Sequence, residues 1–278
     1  MFRLSAFADE IGPDPREQLA VLAACRVRFV EFRSIHATNV LALSDAHIDE
    51  FRRMLADAGI GVSAIGSPVG KAPIDAPFDA QLDKLKRAVD LCGVFGTPNV
   101  RVFSFYPPAN TPFAGDWAPH RDEVLRRLWV MAEVAAGANV TLLHENEHNI
   151  YGDTPERVRD VLASVDHPNL RGAYDAANYV FCGTDPMLGW NLTRQYTTHL
   201  HIKDWKRGGT HGVLAGTGDG MMDHSIGEAV AAGYDGFAVL EPHLRGGGPT
   251  GGVTGADLFP AAVEAFRTVL ARFAGREG

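Results

Sequence analysis

The stretch TLLHENEH at residues 141–148 begins as an apolar strand and ends in acidic and imidazole side chains. Because side chains alternate along a strand, Leu143 and Glu145 share one face and His144 lies on the other. A carboxylate where an apolar run meets a polar loop costs free energy unless something compensates its charge. Three later apolar strands carry comparable residues at their ends, which are Asp175, His201 and Glu241. The four strand ends together indicate one site for a divalent metal ion.

Eight apolar runs alternate with helical patterns along the chain, and their starts are roughly 25 to 40 residues apart, as parallel strands with helical crossovers require. The length of 278 residues is close to the size of about 250 that is typical of a (β/α)8 barrel. Since no linker or change in composition divides the chain, the sequence predicts a single α/β domain over residues 1–278, a (β/α)8 TIM barrel. The alternative is a doubly wound open sheet, which usually binds its ligand at one switch point rather than through four strands.

Three predicted helices begin with a capping residue followed by proline, at Asp14-Pro15, Thr154-Pro155 and Asp185-Pro186. The side-chain oxygen of the cap accepts a hydrogen bond from an otherwise unpaired backbone N–H, and proline is tolerated at the first helical position because its missing N–H is not needed there. Gly59 follows an apolar stripe at helical spacing and predicts a helix end. These signals place helices between the strands, as a barrel requires.

Net charge, apolar runs and cysteine content indicate which partners and which cell compartment to expect. The formal charge of −8 argues against nucleic acid as a partner, because proteins that bind it usually present a basic face. No apolar run approaches the roughly 20 residues of a membrane span, so no membrane partner is predicted. Cys25, Cys92 and Cys182 lack metal-motif spacing and are odd in number, which predicts reduced thiols. Met1 leads directly into a strand without a signal peptide, and we therefore predict a cytoplasmic protein.

Predicted strands seven and eight carry polar residues at successive inward-facing positions. Strand seven puts His199, His201 and Lys203 on the face toward the barrel axis, and strand eight ends in Glu241 and His243 on its corresponding face. A single histidine on a strand is more often a hydrogen-bonded core residue than a ligand, and a set of unrelated buried ion pairs is the alternative interpretation. Several polar residues in succession favour a functional site.

The strand ends HEN at 144–146, YDAAN at 174–178, HLHIKD at 199–204 and LEPH at 240–243 resemble those of the xylose isomerase-like TIM-barrel superfamily. Each motif alone is weak, but the four occur in order and the resemblance extends over essentially the whole chain. It implies one divalent ion held by Glu145, Asp175, His201 and Glu241. An oxygen-rich ligand set with one imidazole favours Mn²⁺ or Mg²⁺, with Zn²⁺ and Co²⁺ as alternatives.

In the ketose 3-epimerases of that superfamily, two metal-bound glutamates remove and return a proton on opposite faces of a substrate carbon, and the ion stabilises an enediolate. The resemblance assigns these catalytic roles to Glu145 and Glu241, and it assigns substrate binding to Arg207 in the loop after strand seven. Two positions depart from the epimerase pattern. Asn178 stands where the epimerases have a histidine, and Tyr151 stands where they have an acid.

Lys203 is a further candidate for proton transfer, because an ammonium group near a metal ion can act as an acid or a base in a dehydration. Its alternative role is an ion pair with an inward-facing acid such as Glu31. The loops after the strands supply candidates for binding substrate hydroxyl groups, and these are Glu10, Arg33, His36, Glu147 and His148.

The sequence therefore predicts an enzyme, a metal-dependent isomerase or epimerase that acts on a sugar or sugar phosphate. One alternative is a dehydratase of a keto-polyol, similar to the inosose dehydratases of the same superfamily. Two others are a phosphodiesterase related to endonuclease IV and a barrel that binds a sugar without turnover. The expected partner is a small sugar or polyol, and the sequence leaves the formation of homo-oligomers open.

Overall fold

A computed structural model describes residues 1–109, 111, 116–248 and 251–278 of the chain. Its centre is a sheet of eight parallel strands, which are β1 (Arg3–Ala6), β2 (Phe29–Phe32), β3 (Gly61–Ile65), β4 (Asn99–Val102), β5 (Thr141–Glu145), β6 (Leu170–Asp175), β7 (Thr197–Ile202) and β8 (Phe237–Leu240). The hydrogen-bonded order is β1-β8-β7-β6-β5-β4-β3-β2, and β1 and β2 lie side by side, so the barrel is nearly closed. The predicted α/β fold, a (β/α)8 TIM barrel, is confirmed.

Helices surround the strands, and those of the described residues are α1 (Pro15–Ala24), α2 (Asp45–Ala58), α3 (Asp79–Phe95), α4 (Arg121–Ala136), α5 (Pro155–Val165), α6 (Ala176–Phe181), α7 (Pro186–Thr193), α8 (Met222–Ala231) and α9 (Phe259–Arg272). Asp14, Thr154 and Asp185 accept hydrogen bonds from backbone N–H groups in the first turns of α1, α5 and α7, which confirms the three predicted helix starts. Gly59 ends α2 in the left-handed conformation, at a φ of 63°. None of the helices in the described part of the chain is long and apolar enough to cross a membrane.

Helix α6 is an element that the sequence pattern did not predict. It has only six residues and follows β6 without a loop. Asp175 is both the last residue of the strand and the cap of the helix, and its Oδ1 accepts a hydrogen bond from the Asn178 backbone N–H at 2.9 Å. The helix cap therefore coincides with the strand end, so the sequence shows no separate signal for the start of α6. The contact also fixes the orientation of the Asp175 carboxylate.

Apolar side chains form one large cluster between the outer faces of the strands and the helices. Inside the barrel the apolar clusters are small. One consists of Ala64, Leu143 and Ala173, and another consists of Phe7, Phe237 and Val239. In the described part of the chain, three pairs of two-residue antiparallel strands lie outside the barrel sheet, and these are Ser34–Ile35 with Thr38–Asn39, Asp204–Trp205 with Gly212–Val213, and Gly247–Gly248 with Gly251–Gly252. The helical layer thus supplies most of the hydrophobic core, which leaves much of the barrel interior to polar side chains.

His144 lies on the outer face of β5, opposite the face that carries Glu145. It is fully buried, and neither ring nitrogen has a hydrogen-bond partner among the residues that the structure describes. Gly152 makes room for the ring, because a Cβ atom at that position would lie 2.6 Å from His144 Cε1. Burial lowers the pKa of His144 to about 4. The imidazole is therefore neutral in the folded protein at neutral pH.

We expect His144→Leu to make the stability of the protein less sensitive to acid. Histidine in the unfolded chain titrates near 6.5, whereas His144 in the folded protein takes up its proton only near 4. Between these values the unfolded state binds more protons, so the free energy of unfolding falls as the pH drops through this range. Thermal unfolding at about pH 7.5 and about pH 5 tests this, because the Tm of the variant relative to the wild type should rise at the lower pH. Parallel pH profiles would contradict it.

Candidate metal centre

Four strand ends bring one acidic or imidazole side chain each to the same end of the barrel. β5 ends at Glu145 and β6 at Asp175, while β7 carries His201 and Glu241 directly follows β8. The strand register aligns them, since Asp175 pairs with His201, and His201 pairs with Val239 on the next strand. The four side chains face the barrel interior at the C-terminal ends of the strands, where the active sites of such barrels form.

These four residues offer one ligand atom each, and the four atoms lie within 4.8 Å of one another. His201 Nδ1 is 3.1 Å from Glu145 Oε1 and 3.6 Å from Glu241 Oε2. All four residues are buried, and His201 Nδ1 has no hydrogen-bond partner in the described part of the chain. Three buried carboxylates around one imidazole need compensating positive charge. The donor set fits one divalent ion, and its oxygen-rich composition suits Mn²⁺ or Mg²⁺.

Two arginines bind the glutamates of this cluster. Arg101 Nη1 lies 3.1 Å from Glu145 Oε2, and Arg33 Nη1 lies 2.9 Å from Glu241 Oε1. Both guanidinium groups pack on Phe7, with their central carbons 4.8 Å and 4.3 Å from its ring centroid. In each glutamate the other carboxylate oxygen is the one that lies near the imidazole. The arginines thus leave one oxygen of each glutamate directed toward the cluster.

Lys203 lies between two acids of the cluster. Its Nζ is 2.7 Å from Asp175 Oδ2 and 3.2 Å from Glu241 Oε2, and the side chain is buried. The alternative role predicted for Lys203, an ion pair with an inward-facing acid such as Glu31, is present, but its partners are Asp175 and Glu241 and not Glu31. Glu31 Oε2 instead lies 2.8 Å from His199 Nε2. Lys203 comes after the end of β7, level with the ends of the neighbouring strands, whereas His199 is four residues earlier and deeper in the barrel.

Burial and neighbouring charges act in opposite directions on these groups. Burial by itself raises the pKa of Glu145, but His201 and Arg101 lower it to about 2. Burial raises the pKa of Asp175 to about 6, although the ammonium of Lys203 works against this increase. Burial also disfavours the charged form of Lys203, yet the adjoining carboxylates raise its pKa well above the usual value. At neutral pH Lys203 therefore carries a positive charge beside ionised glutamates.

Two predicted substrate-binding residues, Glu10 and Arg33, are buried and bound to other protein groups. Glu10 Oε2 accepts hydrogen bonds from the Thr254 hydroxyl and from the His243 backbone N–H, and His243 Nδ1 lies 2.8 Å from Glu10 Oε1. Arg33 Nε lies 2.8 Å from Asp9 Oδ2, in addition to its contact with Glu241. Both side chains are therefore buried beside the cluster and held in place by other protein groups.

Glu147 and His148 follow β5 and are partly buried. Glu147 Oε2 lies 2.9 Å from Lys71 Nζ. The His148 ring packs edge-on against Phe181 of α6, with 4.9 Å between the ring centroids, and Phe181 packs in the same way against Trp205 at 5.5 Å. The segments that follow β5, β6 and β7 thus contribute one aromatic ring each to a continuous row.

His36 and Arg207 are exposed. His36 belongs to the hairpin after β2 and lies beside His47 of α2, with 5.3 Å between the ring centroids. The Arg207 side chain donates a hydrogen bond to the Thr184 carbonyl at 3.2 Å, and its backbone N–H donates to the Asp219 carboxylate. The structure therefore places His36 against a helix and Arg207 against the loop that follows α6.

Arg101 and Lys71 contact candidate site residues, but the sequence pattern alone did not reveal them. Arg101 lies on β4 between Val100 and Val102, and this alternation is the signal that could have placed its side chain inside the barrel. Lys71 lies in the loop after β3, where no periodic pattern exists. Its pairing with Glu147 is visible only in three dimensions.

A model of the xylose isomerase-like TIM barrel family matches residues 19–269. The chain belongs to this family. The match includes β2 to β8 and the four clustered residues Glu145, Asp175, His201 and Glu241. The resemblance predicted from the strand ends is thereby confirmed.

Individual relatives in the xylose isomerase-like group differ in activity. The chain is 24% identical to a 3-dehydroshikimate dehydratase from Bacillus anthracis over 176 residues, which is 63% of this chain and 61% of that protein. A xylose isomerase-like TIM barrel protein from Mycobacterium smegmatis, solved in complex with magnesium, has a TM-score of 0.73 and 20% identity, with 98% and 96% of the two chains covered. A D-psicose 3-epimerase with D-tagatose, from Clostridium cellulolyticum, has a TM-score of 0.69 and 17% identity, with 98% of each chain covered. At these identities the two structural likenesses show the shared fold.

Proposed function

We propose that this chain is a metal-dependent isomerase or epimerase that moves a proton at a carbon next to a carbonyl group of a sugar or sugar phosphate. The observation that carries the proposal is the pair Glu145 and Glu241, which reach one cluster from β5 and β8, three strands apart in the sheet. Two carboxylates that approach a centre from different directions can remove a proton from one face of a carbon and return one to the other face.

The side chains around the cluster would hold the ion and keep Glu145 and Glu241 ionised. Glu145, Asp175, His201 and Glu241 would hold the ion, which would supply a Lewis acid for the substrate oxygen that becomes negative. Arg101 and Arg33 each bind one glutamate, and they favour the ionised form that a base requires.

The two departures from the epimerase pattern have different surroundings. Asn178 Nδ2 donates to Glu145 Oε1 at 3.3 Å and to the Asn146 carbonyl at 2.8 Å, so it supports the first glutamate. The Tyr151 hydroxyl donates to Asp160 of α5 at 2.6 Å. Tyr151 thus belongs to the helical layer, and the substrate contacts of this chain would come from other residues.

A dehydratase of a keto-polyol is a second candidate function, and two observations favour it. The 3-dehydroshikimate dehydratase relative catalyses loss of water according to its name. The ammonium of Lys203 adjoins the cluster, where it could give a proton to a leaving hydroxyl group while a carboxylate removes one from carbon.

Incubation of the protein and Mn²⁺ with a panel of ketoses and inososes in deuterium oxide separates these functions. Incorporation of deuterium at carbon without loss of water supports the isomerase or epimerase, whereas a product lighter by one water supports the dehydratase. The same incubations after treatment with a chelator and dialysis serve as the control, because activity that remains without the ion would contradict both proposals.

Arg207→Ala is expected to lower turnover while leaving the Tm nearly unchanged. The side chain is exposed and its contact in the described structure is a hydrogen bond to a backbone carbonyl, so its removal exposes no buried partner. Steady-state kinetics beside thermal unfolding tests the expectation. A variant that unfolds at lower temperature but keeps full activity per folded molecule would show that the arginine is structural.

A further inference from the structure

Glu31 is a fully buried carboxylate on the inner face of β2. Its strand neighbours Val30 and Phe32 belong to the core between the strands and the helices. The pairing of β2 with β3 shifts register between Val30 and Glu31, and irregularities of this kind redirect a side chain and are frequent beside active sites. A buried carboxylate costs free energy unless other groups pair with it. The groups that pair with the Glu31 carboxylate therefore indicate its role.

One oxygen of Glu31 faces two imidazoles. Oε2 lies 2.8 Å from His199 Nε2 and 3.4 Å from His201 Nε2. Oε1 lies 3.9 Å from Arg101 Nε. Glu31 thus lies directly behind His201, with two imidazoles facing one carboxylate oxygen and a guanidinium near the other.

The two nitrogens of His201 have different surroundings. Nδ1 faces Glu145 and Glu241, and Nε2 faces Glu31. Phe7 packs against the ring edge-on, with 5.2 Å between the centroids, which restricts rotation of the imidazole. A histidine binds a metal ion through its unprotonated nitrogen, and the hydrogen bond made by the other nitrogen decides which one that is.

We propose that Glu31 is a positioning residue for the metal centre. Its Oε2 lies 3.4 Å from His201 Nε2, which has no hydrogen-bond partner among the described residues. With the ion bound, Glu31 would accept a hydrogen bond from this nitrogen and so keep the lone pair of Nδ1 directed at the ion. His199 donates to the same carboxylate oxygen and fixes it in place. The role of His199 is therefore to hold Glu31 in place, although the sequence places His199 on the same strand face as His201. This inference rests on the metal site of the proposed function.

Metal affinity of matched variants tests the role of Glu31. Mn²⁺ affinity is measured by titration calorimetry on the wild type, Glu31→Gln and Glu10→Gln. Glu31 and Glu10 are both buried and each contacts a histidine, but only Glu31 contacts His201. Both substitutions remove one negative charge near the cluster. Glu31→Gln is expected to weaken Mn²⁺ binding by about 10- to 100-fold, as for other residues that orient metal ligands. Glu10→Gln is expected to weaken it much less.

The outcomes separate this inference from the function on which it rests. Equal losses of affinity in the two variants would overturn the positioning role and leave the metal site intact. Failure of the wild type to bind Mn²⁺ would overturn the metal site as well. Binding of two ions per chain that falls to one in Glu31→Gln would show that Glu31, His199 and His201 hold a second ion, which also excludes the positioning role.

A measurement on the unsubstituted protein covers the case in which Glu31→Gln does not fold. In ¹⁵N NMR spectra of the Zn²⁺-loaded wild type, His201 should carry its proton on Nε2 and coordinate through Nδ1. The opposite tautomer, or coordination through Nε2, would overturn the inference without any variant.

Discussion

Glu145→Gln and Glu241→Gln are each expected to lower turnover by a factor of about 10² to 10⁴, which is typical for the loss of a general base, while part of the metal binding persists. Glutamine keeps the size of the side chain and one oxygen ligand, but it cannot accept a proton from carbon. In both glutamates one oxygen is bound by an arginine and the other lies near His201 Nδ1. Turnover, deuterium incorporation and Mn²⁺ affinity are measured on the same preparations, so that loss of the base is distinguished from loss of the ion.

Lys203→Met is the control for these two variants, because Lys203 is the rival group for proton transfer. Methionine has a similar length and removes the ammonium that lies 2.7 Å from Asp175. If the glutamates are the bases, the exchange of protons at carbon should stay near normal in Lys203→Met while both glutamine variants are inactive with metal bound. An inactive Lys203→Met beside a glutamine variant that still exchanges protons would assign the transfer to the lysine.

Arg101→Met is expected to lower the free energy of unfolding by about 3 to 5 kcal/mol, the usual cost of removing one partner from a buried ion pair. The Arg101 side chain is only 6% exposed, and it neutralises Glu145 at 3.1 Å and adjoins Glu31 at 3.9 Å. Methionine preserves apolar packing on Phe7 but leaves both carboxylates without this cation. Chemical denaturation at neutral pH measures the effect.

A surface arginine provides the matched control for Arg101. Arg52 forms an ion pair with Asp49 at 3.8 Å, and its side chain is 51% exposed, so Arg52→Met should change the free energy of unfolding by about 0 to 1 kcal/mol. Added Mn²⁺ should restore part of the stability lost in Arg101→Met, because an ion that binds only the folded state stabilises it. Equal effects of the two substitutions would contradict the role of Arg101 in neutralising the cluster.

Much of the barrel could be predicted because local signals repeat along the chain. Capping residues followed by proline mark the starts of α1, α5 and α7. Such signals depend on the backbone and its nearest neighbours, so they can be identified without the tertiary structure. Helix α6 escaped prediction because its cap, Asp175, is also the end of a strand.

The sequence by itself determined that the four strand-end residues face the barrel interior and that they lie at the same end of their strands. Strand alternation and the shared direction of parallel strands are enough to bring Glu145, Asp175, His201 and Glu241 to one end. Only the tertiary structure decided the partners of these residues. Glu31 meets His199 across 168 positions of sequence, and Lys203 meets Asp175 instead of Glu31. The physical reason is that ion pairs inside a barrel depend on the height and distance between side chains of different strands, which the strand register and barrel closure set and no local pattern encodes.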